Sequence, residues 1–165
     1  MIEVSYKQIG VIHSPYKAQK GTPIQPRGGE NVKGTVEVFP QYKEGLAGLE
    51  GFSHVILLYH FHLAKQVSLK VTPFLDQDEQ GIFATRAPVR PNPIGISIVR
   101  LLKIEDNRLF IQDMDIVDGT PLLDIKPFIV EFGPKGTIKQ GWYTKHIGSV
   151  TRARADQRFI SKTNE

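Results

Sequence analysis

Apolar and polar residues alternate with a period of two through most of the hydrophobic segments, and the segments are short. In residues 53–63, Val55, Leu57, Tyr59, Phe61 and Leu63 fall on one side and His54, Ile56, Leu58, His60 and His62 on the other. That is the pattern of a strand with one buried face. Residues 8–13 have strand composition and run into the turn Ser14-Pro15-Tyr16-Lys17; residues 35–39 form a short β-branched strand. Residues 96–104 and 109–117 read as strands joined by a hairpin turn at Glu105-Asp106-Asn107-Arg108. On the second of these, Asp113 and Asp115 face the same way, and Asp118-Gly119 opens a tight turn. Residues 122–128 continue extended, with Pro127 at an edge or strand end, and residues 129–132 read as a further short strand before Gly133-Pro134-Lys135-Gly136. A helical period shows in residues 42–52, where Leu46, Leu49 and Phe52 lie three apart, but three glycines weaken it. Short strands between glycine and proline turns predict an all-β barrel or compact sheet fold, and of the two a small single-domain β-barrel with one or two short helices is expected. The barrel domain is expected over residues 1–135. Residues 136–165 are expected to form a basic C-terminal extension, in which Arg154, Arg158 and Lys162 share a face if helical.

Charge changes the picture slightly and cysteine content changes it more. The 165 residues carry a net charge of +4 with a pI of about 9.3, which tilts partners towards anions, nucleic acid included. The absence of cysteine excludes disulfides, zinc ribbons and thiol nucleophiles and suits a reducing cytoplasm, the expected location. The amino terminus has no apolar signal region, and the longest aliphatic run, residues 55–59, is far too short to cross a bilayer.

The densest candidate chemistry lies in residues 84–95, where Pro88, Pro91 and Pro93 impose a stiff, extended loop. Arg86, Arg90 and Asn92 are set on that track, so their positions are fixed by backbone, which suits recognition of a charged ligand. Gln25-Pro26-Arg27-Gly28, inside the loop-like residues 20–34, repeats the arrangement on a smaller scale. Asp113, Asp115, Asp118 and Asp124 supply carboxylates that can accept from ribose hydroxyls or act as a general base; the competing role is to cap turn amides. Near the arginines they would make a cleft with both signs of charge. His60 and His62 could give two metal ligands from one strand face, but that face also carries Ile56 and Leu58 and no carboxylate at matching spacing, which favours packing or hydrogen-bonding roles. There is no nucleophile elbow, no P-loop and no dinucleotide-binding turn.

Several of these stretches together resemble one family. Residues 9–16 (Ile-Gly-Val-Ile-His-Ser-Pro-Tyr), Gly51-Phe52-Ser53-His54, Ala84-Thr85-Arg86, Arg90-Pro91-Asn92-Pro93-Ile94-Gly95, Asp118-Gly119-Thr120-Pro121 and Asp124-Ile125-Lys126-Pro127 are similar, in order, to the motifs of the TsaA-like or TrmO family. The resemblance implies a small β-barrel, usually a homodimer, that uses S-adenosylmethionine without a Rossmann fold. It further implies N6-methylation of threonylcarbamoyladenosine next to the anticodon of tRNA. By the same resemblance Gln25, Pro26, Arg27, His62, Leu63, Arg86, Asp115, Ile116, Val117 and Asp118 should surround the cofactor. Arg90, Asn92, Asp118 and Lys126 should lie nearer the reaction, with no resident metal. Methyl transfer to a poorly nucleophilic urea-type N–H needs a base, and Asp115, Asp118 or a neutral histidine are the candidates. Larger bacterial members carry a further C-terminal domain, and the tail after Gly133 matches none of these motifs. Two other readings stay open: a non-catalytic RNA-binding barrel, and a metal-dependent barrel enzyme built on His60 and His62.

Overall fold

The computed structural model describes residues 2–156 together with Arg158 and Phe159. Its strands are β1 (Gly10–His13), β2 (Lys33–Val38), β3 (His54–His60), β4 (Lys70–Val71), β5 (Gln80–Gly81), β6 (Ile94–Glu105), β7 (Arg108–Gln112) and β8 (Thr120–Pro127). Six of them close into an antiparallel barrel in the order β1-β2-β7-β6-β3-β8, with β8 pairing back onto β1; β4 and β5 form a separate two-stranded ribbon. The fold is thus the all-β barrel that the short alternating segments predict. Closure removes the free edges that would otherwise invite a passing strand.

Alternation decides which side chains fill the barrel. Val55, Leu57 and Tyr59 of β3 point inward opposite Val99, Ser97 and Gly95 of β6. Ile12, Val36, Leu109, Ile111 and Leu122 complete the same core from the other strands. Burying each such aliphatic side chain is worth about 1.5–3 kcal/mol, so this cluster is the main source of stability. Gly95 faces the Tyr59 ring so closely that an added Cβ would collide with it. This glycine near the start of β6 therefore gives its space to the tyrosine.

Several local expectations are corrected. Residues 42–52 form two 3-10 turns, Pro40–Leu46 and Leu49–Gly51, because Gly48 between them takes a left-handed conformation at φ 81°. The strand expected over residues 109–117 stops at Gln112: Asp113 turns left-handed at φ 70°, and its carboxylate accepts the Asn31 N–H at 2.9 Å. Asp113 and Asp115 therefore do not share a strand face. The hairpin turn is tighter than four residues, only Asp106 and Asn107 lying between β6 and β7, with Asp106 at φ 54°. Residues 129–132 hold a 3-10 turn, Val130–Phe132, in place of a strand, and both of those apolar side chains are exposed. The β4-β5 ribbon was not foreseen, since two-residue strands leave no periodicity to read.

The C-terminal segment folds back over the barrel. The Gly21 N–H donates to Ala155 O and the Ala155 N–H to Thr22 O, both at 2.8 Å, and Arg154 bridges Pro23, so the chain at Arg154 and Ala155 is extended and not helical. Phe159 packs into a second apolar cluster with Val71, Ile82, Ala87 and Val89. Lys162 lies outside the described residues.

Candidate active site

The end of β3, the beginning of β6 and the chain crossing from β7 to β8 meet at a cavity of about 950 Å³. That is within the usual size of small-molecule sites, about 300–1,000 Å³. Its walls are largely apolar, with Phe61, Ile94, Ile96, Ile116 and Val117 among them. The charged groups facing it come from three separate loops.

The proline-rich segment supplies the first. Within it the Arg90 N–H reaches back to Pro88 O at 2.8 Å and the Ile94 N–H to Asn92 O at 2.7 Å, tight turns that prolines favour because their φ is already set. The Arg90 guanidinium donates from one nitrogen to Thr85 O at 2.8 Å and to Ile82 O at 3.1 Å, tying the segment to the 3-10 turn Ile82–Ala84 before it. Arg86 is left exposed, and its Nη1 donates to Gln25 Oε1 at 2.9 Å. That bond joins the two arginine-and-proline loops that stand out in the sequence.

The acidic group is Asp115. Leaving β7 at the left-handed Asp113, the chain buries Met114 in the barrel and turns Asp115 towards the cavity. Asp115 Oδ1 accepts the Ser97 hydroxyl at 2.7 Å, and Ser97 Oγ lies 3.0 Å from the Tyr59 hydroxyl. Burial pushes the Asp115 carboxyl up to about 7, against the opposing pull of the Ser97 hydrogen bond and the Arg86 charge. Burial, and then the nearby Asp115 charge, also raise Tyr59 far above its ordinary range, so it remains a hydroxyl. His62 lines the same cavity, and burial together with neighbouring His60 holds its pKa below the usual histidine value.

The residues expected to surround the cofactor mostly converge. Gln25, Pro26, Arg27, His62, Leu63, Arg86, Asp115, Ile116 and Val117 all line the cavity. Asp118 does not: it accepts the Ser14 N–H at 3.0 Å and pairs with Lys17 Nζ at 2.7 Å beside β1. Of the residues expected nearer the reaction, Arg90 lines the cavity, its guanidinium engaged by carbonyls. Asn92 is exposed off the cavity, and Lys126 lies on the outer face of β8, 2.7 Å from Asp124. Among the described residues no three His, Asp or Glu side chains converge as metal ligands, so His60 and His62 find no third partner. Sequence reasoning missed Ser97, Tyr59, Trp142 and Tyr143. A hydroxyl at a core-facing position of β6 was the available signal for Ser97; the two C-terminal aromatics gave none.

Residues 11–133 match the family model described as the tRNA-methyltransferase O N-terminal domain. The chain belongs to the TrmO N-terminal domain family. Among similar proteins, a probable S-adenosyl-L-methionine-binding protein of Pyrococcus abyssi (strain GE5 / Orsay) is 52% identical over 158 residues, 96% of this chain and 86% of that one. That match runs past residue 133, beyond the TrmO model. The human tRNA (adenine(37)-N6)-methyltransferase is 37% identical over 131 residues, covering 75% of this chain but 30% of its own length. A crystal structure of TrmO from Pseudomonas aeruginosa superposes with a TM-score of 0.71 at 38% identity, over 86% of this chain and 63% of that one. The chain thus spans less than two thirds of that TrmO structure and under a third of the human protein.

Proposed function

We propose that this protein is an S-adenosylmethionine-dependent methyltransferase acting on N6 of threonylcarbamoyladenosine next to the anticodon of tRNA. One observation carries the reading: Arg86 and Asp115, from loops far apart in sequence, face the same cavity across largely apolar walls. A zwitterionic nucleoside fits such a hollow. The Arg86 guanidinium suits its carboxylate, the Gln25 side chain its amino and ribose groups, and Ile116, Val117 and Leu63 its purine. Family membership and the S-adenosylmethionine-binding and tRNA-methyltransferase relatives point the same way.

When bound, S-adenosylmethionine supplies an electrophilic methyl on a cationic sulfur. This chain's part is to align the acceptor, exclude water and take away the N6 proton. Asp115 is the base we assign. It faces the cavity, its Oδ1 is fixed by Ser97, and a carboxyl raised to about 7 is both basic enough and deprotonated enough at neutral pH. Asp118, held low by its bond to Lys17, is a poorer base and lies off the cavity.

The working form is a cytoplasmic homodimer. Ile96, Ile98 and Leu102 on the outer face of β6 are each at least 40% exposed, an apolar stripe that a second copy would cover. No described helix is long and apolar enough to cross a membrane.

Incubation with S-adenosylmethionine and tRNA carrying unmethylated threonylcarbamoyladenosine, followed by nucleoside mass spectrometry, tests the reading. The expected result is a gain of one methyl on that nucleoside. Thermal stabilisation by the cofactor without any methyl gain would overturn the substrate, and tRNA binding with no cofactor effect would favour the non-catalytic RNA-binding barrel.

A further inference from the structure

The C-terminal segment adds a feature that the proposed chemistry does not use. The short turn Gly141–His146 lies against the proline-rich loop, where Trp142 Nε1 donates to Ala84 O at 2.8 Å. Tyr143 meets the Trp142 ring edge-on, with centroids 5.9 Å apart. Both side chains line the cavity, and so does Phe83, immediately before Ala84. Phe83 is 77% exposed, which folding alone does not explain, and the Arg90 guanidinium sits 5.8 Å from its ring centroid. Three aromatic side chains therefore line the same cavity, with Trp142 tied through its indole N–H to the backbone immediately after Phe83. Arg27 and Arg86 of the cavity lining are exposed, and so are Lys139 and Lys145, three residues before and after Trp142 in the chain. Aromatic faces set among free cations are what unpaired nucleotides bind, the rings stacking on bases and the cations meeting phosphates.

We propose that Phe83, Trp142 and Tyr143 form a stacking platform on which an unpaired base of a single-stranded RNA loop rests as its neighbour enters the cavity. The occupant is RNA and not the cofactor because the exposed ring, Phe83, stands among exposed cations that suit a polyanion, whereas the acidic Asp115 is part-buried and faces the cavity. The inference rests on the RNA-methyltransferase reading for the identity of the RNA. It also gives residues 141–146 a role in the site, although they lie outside the part of the chain that matches the family model.

Trp142 is the single tryptophan of the chain, so its fluorescence reports directly on this spot. The full-length protein is titrated with an anticodon stem-loop RNA, with an RNA duplex of equal length lacking a loop, and with S-adenosylmethionine alone. The stem-loop is expected to quench the emission, and the other two to leave it nearly unchanged. Trp142→Ala should weaken stem-loop binding about tenfold, as loss of one base stack does, while Trp142→Phe retains most of the affinity. Phe83→Ala should weaken it several-fold with an unchanged melting temperature, since that ring packs on little else. Equal quenching by duplex, quenching by the cofactor alone, or undiminished stem-loop affinity in both Phe83→Ala and Trp142→Ala would overturn the platform. None of these readouts needs turnover. Methyl transfer without quenching removes only the platform, and quenching without methyl transfer removes only the assigned reaction.

Discussion

Ser97 donates its hydroxyl to Asp115 over 2.7 Å and thereby fixes a carboxylate in irregular backbone to the wall of the barrel. Ser97 belongs to β6, its register set by seven pairings with β3, and its Oγ is 3.0 Å from the hydroxyl of buried Tyr59. The chain of contact runs from the strand ladder through two hydroxyls to Asp115, the one acidic group facing the cavity among the described residues. Such an arrangement holds a base without the loop around it needing regular structure.

Methyl transfer should depend on pH through Asp115. The carboxylate must be free to take a proton, so the single-turnover rate should rise with pH through about 7 and then level off. Removing the Ser97 hydrogen bond, which favours the charged form, moves that midpoint upward in Ser97→Ala. Asp115→Asn should lose about 10²-fold or more, and a flat profile in the parent protein would exclude Asp115 as the base. If instead His62→Ala abolishes the titration, the neutral histidine holds the role.

The same carboxyl should leave a mark on stability. Its folded pKa of about 7 lies above the ordinary 3.8, so the folded state binds this proton more tightly than the unfolded chain does. The favourable contribution is complete below about 3.8 and is lost as pH rises to about 7. An uncharged replacement escapes that loss. Asp115→Asn should therefore gain stability relative to the parent between pH 5 and pH 8, read as a rising difference in denaturant midpoint. A difference that stays constant with pH would show that Asp115 is not desolvated.

Arg86 and Arg90 should separate cleanly on replacement. Arg90 makes two charge-assisted bonds to backbone carbonyls, each worth about 1.5–3 kcal/mol at most. Arg90→Ala should lower the melting temperature by several degrees, at about 2–4 °C per kcal/mol for a domain of this size. Arg86 is exposed and bonds one side-chain oxygen, that of Gln25. Arg86→Ala should melt within about 2 °C of the parent yet bind S-adenosylmethionine about tenfold more weakly by calorimetry. The reverse pattern would assign the brace to Arg86 and the ligand to Arg90.

Legibility in the sequence followed physical cause. The barrel was readable because a half-buried strand must alternate: the inward set of β3, Val55, Leu57 and Tyr59, is the set the pattern selects. The proline-braced arginines were readable because proline fixes backbone without help from distant residues. Asp115 and Ser97 could not be paired in advance, since their contact depends on how β6 and the β7-β8 crossing meet in the closed barrel. Asp118 looked equivalent to Asp115 in sequence, and only three-dimensional placement gives it Lys17 and the Ser14 amide. Trp142 and Tyr143 follow no period, because a 3-10 turn held by one indole bond needs none.

Asp118 supplies the sharpest contrast. Its bond to Lys17, then the Ser14 N–H, hold its carboxyl below the usual aspartate range. The stability it contributes is therefore present above about 3.8 and lost as pH falls through the lower folded value. It ties the end of β1 to the turn that leads into β8, a structural junction off the cavity that Asp115 faces. Asp118→Asn keeps an acceptor for Ser14 but gives up the charge, and should cost about 1 kcal/mol at pH 7 with a shallower loss of stability in acid. Methyl transfer and cofactor affinity should stay within about threefold of the parent, because the side chain does not reach the cavity. A tenfold loss of S-adenosylmethionine affinity at unchanged stability would instead put Asp118 in contact with the cofactor, as the family resemblance implies, and would require the crossing to move when ligand binds.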